Sequence, residues 1–405
     1  MSNRRSFIKN TILTAAAAGL TGKYAIASAD PKTTVSSMFR YRTLGKTGIQ
    51  LPIVSLGTGN TSNPALVRAA LDKGLQLLAT SETYQNGNNE RVVATAVREL
   101  PRDSYIIMTS SGELSWIDKQ TGVINDTYSV DKHIASVRGS LSRLGVDYVD
   151  VLIQPFAGKR ESVLNDRVLK AMEIIKKDGL ARFTGIGTHG NEPEAVRAAS
   201  DSGIHDVVMT SYNFLKRNRD ELGEAINYAA AAGLGVVAMK TMAGAYWDRE
   251  RTRPINTRAA LKWVLKNENI TTAVPDCSSF EQLEQNIDVM SDPELTENEI
   301  QDLFPSPDKI TSSLFCQQCG RCLEQCPRGL NIPMLMRSYM YAYGHHNLPH
   351  ARYIFLAAGP AMNPCGDCTS CNITCTMGFN IRQKISDISK IIDIPPDFLN
   401  GSLQA

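Results

Sequence analysis

Residues 147–155 read Asp147-Tyr148-Val149-Asp150-Val151-Leu152-Ile153-Gln154-Pro155. Val149, Val151, Leu152 and Ile153 form a short, nearly continuous apolar run, which is how a strand buried on both faces reads. Ahead of it, residues 130–144 carry helical periodicity, and Gly145 stands where a left-handed cap would end that helix. Behind it the same pattern returns: a helical stretch at 167–177, Gly179, and an apolar run at 182–188. Working outward, candidate strands fall at 53–57, 75–81, 104–110, 147–154, 182–188, 206–212, 235–241 and 271–277. Further helical stretches lie at 65–73, 221–232 and 258–266, and Gly74, Gly203 and Gly233 repeat the cap. Eight strand–helix units in about 240 residues predict an α/β fold, a TIM (β/α)8 barrel. A doubly wound open sheet is the competing architecture, but no G-x-G-x-x-G turn follows the first strand.

Eight cysteines follow the barrel in two runs. Cys316, Cys319, Cys322 and Cys326 spell C-x2-C-x2-C-x3-C, with Pro327 next. Cys365, Cys368, Cys371 and Cys375 repeat the spacing, with Thr376 in the proline's place. This is the bacterial-ferredoxin pattern for a cubane [4Fe-4S] cluster, in which three close thiolates surround one cube and the fourth reaches toward its neighbour. Two clusters are therefore expected. One would sit on Cys316, Cys319, Cys322 and Cys375, the other on Cys365, Cys368, Cys371 and Cys326. Structural zinc and disulfides are the competing uses of such gaps, and two full copies plus the proline favour clusters. Helix candidates at 332–343 and 349–358 make the segment a small, mostly α-helical ferredoxin-type domain. The ninth cysteine, Cys277, reads as a buried thiol.

The opening Asn3-Arg4-Arg5-Ser6-Phe7-Ile8-Lys9 resembles a twin-arginine export signal. A weakly apolar run at 11–20 and the small-x-small site Ala27-Ser28-Ala29 follow, so cleavage is expected before Asp30. Chance arginines on an ordinary N-terminus are the competing reading. The twin-arginine route carries folded proteins, as cluster insertion in the cytosol requires, so the expected location is the periplasm or another exported site. No segment is long enough to span a bilayer. A formal charge of +2 leaves no electrostatic footprint for nucleic acid. The expected organisation is a signal at 1–29, a segment with a hairpin at the barrel base at 30–52, the barrel at 53–305, the dicluster domain at 306–395 and a tail at 396–405.

The strand ends carry a family resemblance. Arg42-Thr43-Leu44-Gly45-Lys46-Thr47-Gly48, followed by Val54-Ser55-Leu56-Gly57, resembles the opening of an aldo/keto reductase. GLQLLATSETY at 74–84, the 147–155 stretch, GIGTHG at 185–190, GVVAMKTMAG at 235–244 and residues 259–286 continue it. The cysteine runs resemble the tail of the subgroup that carries a dicluster ferredoxin domain. The resemblance implies hydride transfer from a nicotinamide to a carbonyl, with a tyrosine as proton donor supported by lysine, aspartate and histidine. Here the tyrosine position is Tyr84, but the aspartate position is Ala79, the lysine position Ser110 (Ser111 in the neighbouring register) and the histidine position Gln154. Losing one such preorganised group typically costs about 10²–10³ in rate.

The same resemblance puts Asp276, Cys277 and Gln282 where lysine, serine and arginine would grip a 2′-phosphate. Asp276 would repel it, so NADP is disfavoured and NAD or a flavin are the alternatives. Tyr212 matches the aromatic that stacks on the nicotinamide, Asn286 an adenine contact, and Met209 replaces a carboxamide-binding glutamine. Ser81, Glu82, Glu113, His189 and Lys240 are further polar groups expected at the mouth. His345, His346 and His350 are expected at the surface or at helix ends. Two functions follow. One is an iron–sulfur oxidoreductase exchanging electrons with a substrate or a redox partner protein at the barrel mouth. The other is a non-catalytic electron carrier or assembly subunit that uses a degenerate barrel as scaffold. Both pass through the twin-arginine export machinery.

Overall fold

The computed structural model describes residues 39–118, 121–155, 157–360 and 362–401. The expected export signal lies outside these residues. The chain opens with an antiparallel hairpin of β1 (Tyr41–Thr43) and β2 (Gln50–Pro52), Tyr41 opposite Pro52. Eight strands follow: β3 (Leu56–Gly57), β4 (Leu77–Ser81), β5 (Ile106–Ser110), β6 (Val149–Gln154), β7 (Ala181–Thr188), β8 (Val207–Ser211), β9 (Gly235–Met239) and β10 (Thr272–Ala273). Each pairs in parallel with the next in sequence order. Parallel bridges Val54–Ala273 and Gly57–Asp276 join the last strand to the first and close the barrel.

The repeat read in the sequence is the one the chain folds into. The unit that reveals it runs as a helix over Val130–Leu144, Gly145 at φ +68°, and then β6. The left-handed turn lets the Gly145 N–H bond back to the Leu141 carbonyl, at no Cβ cost for glycine. Val149 through Gln154 are all buried, because helices cover the outer face and the barrel lumen the inner one.

The lumen is packed in layers. Leu44, Ile49 and Leu51 of the hairpin plug its base and share one core with Leu77, Ile106, Val151, Val207 and Val237. Gly235 has no side chain where Leu44 fills the space, since a Cβ there would lie 2.5 Å from Leu44 Cδ1. Gly185 is equally constrained, its missing Cβ falling 2.2 Å from the Val207 carbonyl oxygen.

The segment after the barrel is helical, with Ile332–Tyr343, Leu348–Ala357 and Ile381–Ser389 as its main elements. Ile332–Tyr343 is buried on nearly every side, as a helix apolar all round must be. It shares a core with Phe214, Leu215, Ala243, Trp247 and Ile255 from the barrel's upper loops. Gln317, inside the first cysteine run, donates to the Leu215 carbonyl at 2.7 Å and accepts from Arg217 N at 3.1 Å. Asn347 donates to Gly59 O at 3.1 Å and to Asn60 Oδ1 at 2.7 Å. These bonds seat the cysteine-bearing segment on the barrel mouth. Among the described residues, no helix is long and apolar enough to cross a membrane.

Candidate active site at the barrel mouth

The C-terminal ends of β4, β5, β7, β8 and β9 open into a cavity of ≈ 50 Å³. Its floor is Ala79, Met108, Ile153, Met209 and Met239, the inward-facing residues of successive strands. Tyr84, Ser110 and His189 line its barrel side, and Arg337, Tyr341, His350 and Ile354 descend from the helices between the two cysteine runs to form its roof. A second, larger groove of ≈ 540 Å³ shares Ala79, Tyr84, Met209 and Met239 with the cavity. It runs past Lys240, Asp276, His345 and Gln282 to Asn286. On the far side His189 and Arg337 also border a cleft of ≈ 1500 Å³ that extends to Cys319.

The expected tetrad positions behave unequally. Ala79 and Ser110 both line the cavity. Ser110 Oγ donates to Ser81 Oγ at 2.6 Å, and Ser81 Oγ is 2.9 Å from Thr83 Oγ1. A row of neutral hydroxyls thus runs toward Tyr84. Gln154 is a correction: Ile153 and Pro155 line the cavity, while Gln154 turns outward and its amide donates to the Ser162 carbonyl at 3.4 Å. Strand alternation gives the reason, since neighbours on β6 face opposite ways. Glu82 also turns away, accepting from Ser136 Oγ at 2.6 Å and facing Arg143.

Tyr84 sits in a loop held by two consecutive left-handed residues, Gln85 (φ +53°) and Asn86 (φ +54°). Such backbone strain persists only where surrounding structure enforces it. Burial raises the phenol well above the ordinary tyrosine value, and Tyr341 and Asp276 raise it further, while Arg337 lowers it. The ring meets His350 edge-on at 5.3 Å between centroids, and His350 meets Tyr341 at 4.3 Å. Burial first, then Arg337 and Lys240, holds both His189 and His350 well below the ordinary imidazole value. Both rings are neutral at pH 7.

Lys240 is left-handed too (φ +58°) and lines the groove rather than the cavity. Its Nζ lies 4.7 Å from the Tyr341 ring centroid, over the face of the ring. Asp276 accepts from Gly59 N at 3.0 Å, so it stands at the inner end of the groove beside Tyr84. Asn286 lines the outer end while donating to Cys277 Sγ at 3.1 Å. Cys277 is buried, and burial pushes its thiol up to about 12. Tyr212 corrects the expectation of a stacking aromatic: it packs outward into the core, its ring 5.0 Å from Trp263, and Met209 faces the groove instead.

Arg337, Tyr341, His345 and His350 were not among the expected site residues, and the histidines were read as surface or helix-end groups. Only His346 of the three is exposed. His345 lines the groove and His350 is 5 % exposed in the cavity roof. One signal was present: a lone arginine within the otherwise apolar stretch 332–343.

The cysteines fall into two groups. The Cys316 thiol is pushed up to about 12, by burial first and then by Cys322, Cys375 and Cys319. The Cys365 thiol is pushed up to about 11, by burial and then by Cys368, Cys371 and Cys326. In each case the fourth cysteine of one run acts beside three of the other, and Cys326 also acts on Cys322, so the two groups adjoin. Cys326, Cys365, Cys368 and Cys371 also line one cavity walled by Ile332, Ile373, Ile381 and Ile385. Buried thiols in such apolar pockets stay protonated unless a metal supplies positive charge, and a coordinating thiol is deprotonated outright. The donor set and its surroundings therefore fit iron–sulfur clusters.

A parallel barrel with its polar site at the strand ends, joined to a cysteine-rich helical segment, defines an oxidoreductase barrel fused to a ferredoxin-type domain. Residues 56–259 match the aldo/keto reductase family, and this chain belongs to it. Residues 315–380 match the 4Fe-4S dicluster domain. An uncharacterized oxidoreductase of Bacillus subtilis, YqkF, is 25% identical, the match covering 65% of this chain and 95% of that protein. The L-galactose dehydrogenase of Arabidopsis thaliana is also 25% identical, over 61% of this chain and 86% of its own length. An aldo-keto reductase from Bacillus halodurans superposes with a TM-score of 0.53 at 21% identity, covering 65% of this chain and 95% of that one. Each of these likenesses covers no more than 65% of this chain.

Proposed function

We propose that this protein is an exported iron–sulfur oxidoreductase that acts at the barrel mouth with electrons rather than with NADPH-derived hydride. One observation carries the reading. The helices between the two cysteine runs form the roof of the mouth cavity, and Arg337 in that roof lies within electrostatic reach of both Cys316 and Tyr84. Cys316, Cys319, Cys322 and Cys375 would hold one [4Fe-4S] cluster, and Cys326, Cys365, Cys368 and Cys371 the other. Bound there, the clusters supply one-electron chemistry.

The chain's own residues do the rest. Tyr84, with its raised pKa, keeps its proton at neutral pH and can donate a hydrogen bond to a ligand oxygen. Ser110, Ser81 and Thr83 orient polar groups without charge. Met108, Met209, Met239 and Ile354 exclude water from the rest of the wall. With Ala79 and Ser110 in the aspartate and lysine positions, the ends of β4 and β5 supply no ion pair to assist Tyr84 as a proton donor, which argues against NADPH-linked carbonyl reduction. The scaffold reading calls for a mouth plugged by apolar side chains, and a cavity lined by Tyr84, Ser110 and His189 favours the enzyme.

Anaerobic purification of the chain tests the proposal. About eight irons per chain are expected, as two cubanes require, with a reducible signal by electron paramagnetic resonance. Near-zero iron with stoichiometric zinc would overturn it. Recovery of the processed chain from the periplasm, dependent on Arg4 and Arg5, tests the export route.

A further inference from the structure

Two cations reach the mouth cavity. Arg337 stands in its roof, and Lys240 lies close enough to act on His189 and His350. Among the described residues, the carboxylate acting on Tyr84 is Asp276, which accepts from Gly59 N and is also acted on by Lys240. His350 adds a second, independent observation: its Nδ1 is buried with no hydrogen-bond partner in the protein. A buried polar atom left unmatched calls for an explanation, and an absent ligand is one.

We infer that the cavity is a binding site for a small planar oxyanion, seated between the guanidinium of Arg337 and the imidazole of His350. This rests on the reading of the mouth as a reaction site. A guanidinium presents parallel N–H donors that match two coplanar oxygens, which a spherical ion does not offer. Neutral His350 donates from Nδ1 in one of its tautomers. A cavity of ≈ 50 Å³, at about 10–15 Å³ for each water-sized occupant, holds about four non-hydrogen atoms. That is the size of acetate. A longer acid would leave its tail in the groove that shares Tyr84 and Met209 with the cavity.

The test is calorimetric titration of the cluster-loaded full chain, purified anaerobically, with acetate, with acetamide as its uncharged counterpart, and with nitrate as an inorganic planar oxyanion. Acetate should bind at least about tenfold more tightly than acetamide, as a charge-assisted bond predicts. Arg337→Gln should erase that preference, and His350→Gln should weaken acetate by about threefold to tenfold. Because Arg337→Gln lies near Cys316 and could disturb a cluster, Ile354→Phe provides a second variant. It fills the cavity without altering a charge and should abolish binding. Nitrate binding beside acetate extends the site to inorganic oxyanions, while acetate alone confines it to organic acids, and both results support the inference. Equal or undetectable binding of acetate and acetamide, with clusters intact, overturns it. Iron is measured on the same sample. Selective acetate binding without iron defeats only the electron-transfer reading, and iron without selective binding defeats only this one.

Discussion

The two walls of the mouth cavity are built from different chemistry. The wall supplied by the barrel strands offers three methionines, a tyrosine, a histidine and a row of hydroxyls, but no cation. The roof supplied by the helices between the cysteine runs brings Arg337, Tyr341 and His350. Within the cavity the positive charge thus comes from a helix that is continuous with the cysteine-bearing segment. The barrel's own cation, Lys240, lines the adjoining groove, and the element that closes the cavity supplies a second one, Arg337. The barrel wall positions a ligand, and the roof supplies the field.

The largest expected effect tests what the roof is attached to. Cys326→Ser should lower iron from about eight to about four per chain and should perturb the cluster held mainly by the second run. Loss confined to the first run would break the division into two walls described here, because the crossed grouping would be wrong. Next comes the seam between the regions, where Lys216 pairs with Glu192, both side chains 1% exposed, beneath the ring of Phe315. Lys216→Met leaves a buried carboxylate without its partner and should cost about 3–5 kcal/mol, read from the denaturation midpoint. Adding Glu192→Gln should recover part of it. A neutral single variant would show that the seam does not hold the roof in place.

The barrel's own buried histidines should differ from those of the mouth in being purely structural. Burial holds His133 and His205 at about 4, against an ordinary 6.5. The unfolded chain takes up a proton as pH falls through 6.5, whereas the folded chain refuses it until about 4. Stability present above pH 6.5 is therefore lost across that window, by on the order of 3 kcal/mol per histidine. His205→Asn should remove its share of the slope in denaturation curves recorded from pH 7 to pH 4, and an unchanged slope would refute the assignment. The smallest effect concerns the barrel wall alone. NADPH-linked reduction of aldehydes and ketones should be barely detectable, and Tyr84→Phe should change it by less than about twofold. Robust turnover abolished by Tyr84→Phe would show that the barrel wall needs no help from the roof. A tyrosine working in an intact tetrad would instead cost about 10²–10³.

Much of this molecule could be read along the chain. The β6 unit and its seven counterparts predict the barrel because a strand covered on both faces has to be apolar throughout, and a helix that ends at a left-handed turn favours glycine. The cysteine runs could be read for a similar reason: three ligands to one cube must be close in sequence. The family resemblance is what points to Tyr84 and Ser110, and the meeting of barrel strand ends puts such positions at the mouth. Gln154 and Tyr212 were misread because direction depends on strand alternation, and a shift of one residue turns a side chain from lumen to helix layer.

Arg337, Tyr341 and His350 were out of reach for a different reason. They lie more than 250 positions from Tyr84, and no local period or spacing links them. Their meeting depends on the long-range contacts through which Gln317 grips Leu215 and Asn347 grips Gly59. Local patterns record what each segment must bury and which ligands it must keep close. Which face of the cysteine-bearing segment meets the barrel is settled by packing between parts distant in sequence, and here that packing places the positive charge in the site.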